Sequence, residues 1–230
     1  MTPALDRDFA QHLLNTYDDP GAHGVHLLFN QWWRYAPEPA IAAYAADFAR
    51  LPDQREFVER HYFAEPLDLD GLAAYPAGTL GRDYHDFIVD NRLEKNIAIN
   101  YRQFHEMLQA SGQLDRMPAE LRYAIIRGFQ VHDLLHVLTG YPATGPGEIA
   151  LQAFCLAQIR FPYFAMWMSV VTTRMTFLDP QQIVPMMDAI SDGWRRGRQA
   201  RNIQFAEWER MLDQPTAELR ARHDLQAAMH

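Results

Sequence analysis

The feature that most constrains this chain is a helix with no polar side. From Glu148 the sequence continues through Ile149, Ala150, Leu151, Ala153, Phe154, Cys155, Leu156, Ala157 and Ile159, apolar all round at helical spacing. A helix of that kind belongs in the middle of a domain, because no face of it gains from meeting water. After Phe161-Pro162 a second greasy helix is expected from Tyr163 to Phe177, heavy in Phe164, Met166, Trp167, Met168 and Met175. The region from Ile149 to Val171 is broken by Gln152, Gln158, Arg160 and Pro162, so it fails as a membrane span of roughly 20 apolar residues. Membrane contact is therefore expected to be peripheral.

The same spacing extends along the chain. Leu5, Phe9, His12, Leu13 and Thr16 stripe a helix over 5–17, and Asp18-Asp19-Pro20-Gly21 stops it. A helix over 22–35 carries Leu27, Leu28, Phe29, Trp32 and Trp33 and ends at Pro37 and Pro39. Others are expected over 39–50 and, opened by Pro52, over 53–63. Asp68 and Asp70 lead through a short helix into a turn at Tyr75–Thr79, and Thr79 can cap a helix over Leu80–Asn91. Residues 92–101 read as irregular. Pro118 suits the first turn of a helix in which Leu121, Ile125, Phe129, His132 and His136 follow at spacings of four or three, and Gly140 with Pro142 ends it. Asp179-Pro180 starts a helix towards Trp194, and 193–222 reads as one or two amphipathic helices. No sustained period of two with β-branched residues appears. The expected fold is all-α: a single domain, 1–230, of about eight to ten helices around a helix hairpin formed by 118–140 and 147–161.

That hairpin holds the ligand-type side chains. His132 and His136 stand at i and i+4, on one helix face, where two imidazoles can reach one ion at about 2.0–2.1 Å. Asp133 is turned about 100° from His132, so it reaches the same ion from the edge or stands behind the histidine. Glu148 arrives at the start of the next helix. A zinc peptidase needs H-E-x-x-H, with Glu as the base; Asp133 is one methylene short, which argues against peptide hydrolysis. A His-Asp-type metal-dependent phosphohydrolase would recruit His105 and Asp188 or Asp192 from other helices, and it leaves Glu148 unexplained.

Charge and cysteine content narrow the partners. A net charge of −8 argues against nucleic acid, which needs a basic footprint. The single cysteine, Cys155, excludes an internal disulfide and reads as a small buried hydrophobe in a reducing compartment. Asp6, Asp8, Asp18 and Asp19 count against a signal or transit peptide in the first twenty residues. Arg195, Arg196, Arg198 and Arg201 form the one basic cluster, either a solvated helix face or an attraction for anionic lipid headgroups.

The pattern H-D-x-x-H, eleven residues, then Glu (His132, Asp133, His136, Glu148) resembles the signature of the coenzyme Q (ubiquinone) biosynthesis protein 4 family, in a bacterial-type member. Gly78-Thr79-Leu80-Gly81-Arg82-Asp83-Tyr84 and Gly147-Glu148-Ile149-Ala150-Leu151-Gln152-Ala153-Phe154 are similar to further stretches of that family. So are Gly197-Arg198-Gln199-Ala200, Trp208-Glu209, Pro215 and Leu219-Arg220. The resemblance covers about 72–222 and leaves 1–65 as divergent N-terminal helices.

The resemblance implies an α-helical protein of ubiquinone synthesis that binds a divalent metal and a polyprenyl lipid or quinone precursor. It places the metal on His132, Asp133, His136 and Glu148, which would also be the catalytic residues of an oxidative decarboxylation at C1 of the prenylated ring. Zinc is expected in a purified sample, and iron, cobalt or manganese suit the same ligands. It further implies a homodimer, cytoplasmic and peripheral to the inner membrane, that works with other quinone-biosynthesis proteins. The alternative is a non-catalytic lipid-binding scaffold of their complex. With a bound lipid, Met and aromatic residues of 149–177 would wall a tunnel for the isoprenoid tail, where otherwise they simply pack as core.

Overall fold

Short polar side chains begin several of the helices. Asp6, Asp68, Thr79, Asn100 and Thr144 each accept a backbone N–H from the first turn that follows, satisfying donors that a helix start leaves free. The computed structural model describes residues 5–20, 22–23, 25–51, 54–112 and 114–225. Gly21, Pro52 and the side chain of Leu27, which entered the sequence reading, lie outside the described residues. Within them the chain forms α1 (Arg7–Asp18), α2 (Val25–Tyr35), α3 (Glu38–Phe48), α4 (Gln54–Arg60), α5 (Leu69–Ala73), α6 (Leu80–Asn91), α7 (Glu94–Ile97) and α8 (Tyr101–Ser111). Next come α9 (Ala119–Thr139), α10 (Gly145–Ile159), α11 (Pro162–Leu178), α12 (Ile183–Gln199) and α13 (Thr216–Arg222), with 3-10 turns at Pro180–Gln182 and Trp208–Arg210. No strand occurs among the described residues, and no helix there is long and apolar enough to cross a membrane.

The fold is all-α, with thirteen α-helices among the described residues rather than eight to ten. The excess comes from short pieces such as α7, four residues inside the stretch expected to be irregular. α4 stops at Arg60, short of residue 63, because His61 takes a left-handed backbone with φ of 45°. The closing segment departs most from expectation. α12 continues through Gly193 and Gly197 to Gln199, and the chain then coils irregularly to a buried Trp208, whose indole N–H donates to the Ile203 carbonyl. Tertiary burial of one large ring overrides the helical pattern there.

α10 is central, as its composition requires: Ile149, Leu151, Ala153 and Phe154 are fully buried. α11 is not. Of its side chains only Pro162, Phe164 and Val170 are buried, and Phe177 and Leu178 at its end are 80% and 68% exposed. The expected hairpin also opens. α10 packs along α12 rather than along α9, and a cavity fills the wedge between α9 and α10.

Two arginines fix the end of α9. Arg196 donates to the Thr139 carbonyl at 2.6 Å and lies over the Tyr141 ring, 4.5 Å from its centre. Arg220 donates to the Val137 and Leu138 carbonyls at 2.7 and 3.1 Å. These last-turn carbonyls have no partner within the helix, and cations complement the negative end of its dipole. Arg196 is thus buried structure and leaves the solvent-facing basic cluster expected from sequence; Arg195, Arg198 and Arg201 remain exposed. The Gly78–Gly81 stretch docks on the closing segment that carries Arg220. Leu80 and Gly81 donate to the Gln214 and Leu212 carbonyls at 2.9 and 2.8 Å, and Thr216 donates back to Gly78.

Candidate metal centre

α9 presents His132 and His136 one turn apart, their rings 4.8 Å between centres and 77° between planes. Gly140 ends the helix with φ of 78°, a left-handed turn that glycine takes without penalty. The chain folds back so that the Tyr141 carbonyl lies 2.9 Å from Nδ1 of His136. A proton on Nδ1 donates to that carbonyl, which leaves Nε2 with its lone pair facing inward. Thr144 then caps α10, and Glu148 sits in the first turn, where the helix dipole favours a carboxylate.

The two elements meet at the carboxylate. Glu148 places one oxygen 3.2 Å from Nε2 of His136 and the other 3.4 Å from Nε2 of His132. These three residues form the one group of metal-type side chains among the described residues. Ligands about 2.1 Å from a tetrahedral ion stand about 3.4 Å from each other, which the two carboxylate–imidazole separations match, and all three ligand atoms lie within 4.8 Å of one another. Nε2 of His136 is fully buried and makes no hydrogen bond of proper geometry despite facing Glu148. A buried nitrogen with a free lone pair aimed at a carboxylate is a poor hydrogen-bond arrangement and a good ligand arrangement. The donor set therefore fits a divalent ion.

Asp133 is directed elsewhere. Its Oδ1 lies 3.0 Å from Nδ1 of His132, and its Oδ2 accepts from Asn96 at 3.0 Å. It stands behind His132 in the manner of a carboxylate–histidine pair, outside the group of His132, His136 and Glu148. The residues a phosphohydrolase would need do not join it either. His105 packs among His61, Phe63 and Tyr123, Asp192 accepts from Tyr141 and Arg195, and Asp188 is exposed.

Three contributors went unread in the sequence. Asn96 comes from α7, the segment expected to be irregular. The Tyr141 carbonyl is a backbone group that carries no sequence signal. Phe87 of α6 lies stacked on the His136 ring at 5.3 Å; its helical stripe was visible, but not what it would meet.

The electrostatics follow from the pairing. Burial alone would lower the pKa of His132, but hydrogen bonds to Asp133 and Glu148 push it up to about 9. Burial would raise Glu148, yet the two histidines hold it down at about 2. Asp133 is likewise raised by burial and lowered more by His132 and Asn96, ending below the usual carboxylate range. At neutral pH this pairing favours a protonated His132 between two carboxylates.

His132, Asp133 and Glu148 lie in the wall of a cavity of about 830 Å³. α9 contributes Ile125, Gly128 and Phe129 to it, α10 contributes Gln152, Cys155 and Ile159, and α11 contributes Tyr163, Phe164 and Trp167. Residues 96–104 close the far side with Asn96, Ile99, Tyr101 and Phe104. Cys155 is buried, its thiol pushed up to about 12 by burial and touched by the Gln204 amide, so it is neutral and unreactive. Burial also pushes Tyr101 and Tyr163 up to about 12, with Asp133 and Glu148 adding to it, so both phenols keep their protons.

Comparison with known proteins gives the site its context. A protein from Nostoc punctiforme of known structure superposes on 97% of this chain and 100% of its own with a TM-score of 0.74; at 21% identity this shows a shared fold. The ubiquinone biosynthesis protein COQ4 homolog of Danio rerio is 30% identical over 161 residues, 69% of this chain and 53% of that protein. Its counterpart in Yarrowia lipolytica is 27% identical over 162 residues, 68% of this chain and 55% of that protein. The chain thus spans about half the length of these relatives. The family model described as coenzyme Q (ubiquinone) biosynthesis protein Coq4 matches residues 60–228, a segment holding both histidines, Asp133, Glu148 and every wall of the cavity. The chain belongs to that family.

Proposed function

We propose that this protein acts in ubiquinone biosynthesis on a prenylated aromatic precursor, binding its ring beside a divalent ion and removing the C1 carboxyl group oxidatively. The observation that carries the reading is the placement of His132, His136 and Glu148 in and beside the wall of a mostly apolar cavity large enough for a lipid-sized ligand. A bound ion would supply a positive charge for a ring carboxylate or phenolate oxygen as carbon dioxide leaves. His132, His136 and Glu148 would hold it, Asp133 would keep the His132 ring in place, and the apolar walls would exclude water and take the isoprenoid tail.

Three side chains leave a tetrahedral ion one open position, which favours catalysis over a closed structural site and hence over the scaffold reading. Zinc, iron, cobalt and manganese all suit the ligands. The same proposal includes association with other quinone-biosynthesis proteins, a homodimer, and peripheral contact with the cytoplasmic face of the inner membrane. Exposed Phe177, Leu178 and Val184 at the turn between α11 and α12 support the membrane contact.

The test supplies metal-loaded protein, dioxygen and a two-electron reductant with a prenylated 4-hydroxybenzoate labelled in its carboxyl carbon. Labelled carbon dioxide and a ring hydroxylated at C1 are expected. Intact precursor recovered with every metal of the set would remove the enzyme reading and leave the scaffold.

Metal uptake should depend on pH in a stated direction. Below about 9 His132 carries a proton that must leave before its Nε2 can bind an ion. Apparent affinity is therefore expected to rise about tenfold per pH unit through neutrality and to level off near pH 9. Calorimetry in buffers of different ionisation enthalpy should find about one proton released per ion at neutral pH. Uptake with no proton release would contradict it.

A further inference from the structure

Glycine inside a helix is destabilising relative to alanine, so each one calls for a reason. In α10 and α12 the reason is a neighbour. A side chain at Gly147 would strike the Pro142 carbonyl, and at Gly193 or Gly197 it would strike the backbone of α10. Gly128, in the middle of α9, has no such neighbour: a Cβ there meets nothing within 4 Å. The space it faces is the cavity, because Gly128 lies in the cavity wall together with His132, four residues on. The two positions share one helix face and stand about 6 Å apart along its axis. Beside Gly128 the wall is apolar, with Ile125 and Phe129 on α9 and Tyr163 of α11 packed edge-on against Phe129.

We infer that Gly128 is a specificity-determining residue of the cavity, its missing side chain leaving the width that a prenyl chain needs where the chain leaves the ring. The inference rests on the reading that the cavity takes a prenylated ring at its His132–Glu148 end. One helical turn is about the length of an aromatic ring, so with the ring's carboxyl group at the ion, the group that crosses Gly128 is the chain attached beyond it. Glycine lets a bound molecule lie directly against the backbone. An isoprenoid chain carries a methyl branch in every unit and makes no polar contact, which suits a bare stretch of α9 between apolar walls. A side chain at position 128 would narrow the cavity where that branched chain passes, whereas a ring with no chain stops short of it. The cavity therefore accepts prenylated rings because this one position is empty.

The experiment compares 4-hydroxy-3-geranylbenzoate with 4-hydroxybenzoate, which lacks the chain, on the full chain loaded with cobalt. Calorimetry reads the geranyl compound, and the cobalt absorption spectrum reads the bare ring at millimolar concentration. Gly128→Leu is expected to weaken the geranyl compound about tenfold or more, the effect of forcing extra carbon into an occupied space, and Gly128→Ala to weaken it less. Both variants should bind 4-hydroxybenzoate as the parent does, with metal content unchanged and thermal stability no lower. A Gly128→Leu protein that binds the geranyl compound as tightly as the parent overturns the inference while leaving ring binding intact. Equal loss of both compounds overturns it too, because the ring itself would then lie at Gly128. So does loss of metal or of thermal stability, which would make Gly128 a packing residue. If the parent does not bind the geranyl compound, the proposed substrate class fails and the inference with it.

Discussion

His132→Ala protein is expected to lose divalent metal, its affinity falling more than about 100-fold. The side chain is 31% exposed, so its removal leaves α9 packed as before and isolates the effect on the ion. Replacing an outer partner costs roughly 10–100-fold in affinity, and His132 supplies a ligand atom directly. Asp133→Asn makes the comparison. It weakens the carboxylate behind His132 without removing a ligand, and should fall inside the 10–100-fold range. Metal content after dialysis, with titration against a chelating dye, reads both. Equal metal in parent and His132→Ala would rule out the centre as built; equal loss in the two variants would make Asp133 a ligand after all.

Gly193→Val is expected to destabilise the fold by about 3 kcal/mol or more, the upper end for forcing extra carbon into a packed contact. At Gly193 any side chain would overlap the Ala150 carbonyl, and at Gly197, one turn on, it would strike the Phe154 backbone. α12 lies against α10 only because both positions lack a Cβ. For a chain of this length the loss corresponds to a fall in Tm of roughly 6–12 °C, measured by circular dichroism. Metal affinity should fall too, since Ala150 is two residues from Glu148 on the helix being displaced. Gly128 provides the contrast. A Cβ there meets nothing within 4 Å, so Gly128→Ala should be neutral or stabilising by up to about 1 kcal/mol. A Gly193→Val protein as stable as the parent would mean that α10 and α12 are not in such close contact.

Phe177 illustrates how a residue's composition can mislead about its place. It belongs to a helix rich in apolar residues, yet it is 80% exposed, because α11 buries few of its side chains and its end projects. Trp208 went the other way, from a presumed amphipathic helix to the buried centre of an irregular coil. In both cases local period was visible and the partner surface was not.

Local rules determined much of this protein from sequence alone. Thr79 and Thr144 begin helices because their hydroxyls satisfy free N–H groups, Gly140 ends one because it turns left-handed, and α10 is central because it has no polar face. The i, i+4 step of His132 and His136 put two imidazoles on one helix face, and Glu148 opened the next helix. Those are consequences of neighbours along the chain. Where Asp133 points depended on Asn96, which approaches from thirty-seven residues away and holds the second carboxylate oxygen. α10 packs along α12, whose Gly193 and Gly197 meet Ala150 and Phe154, while the Glu148–Gln152 face of α10 borders the cavity instead of zipping onto α9. Tertiary structure thus opened the wedge between α9 and α10, because it is a space left between elements, and no single element's sequence encodes the surface of another.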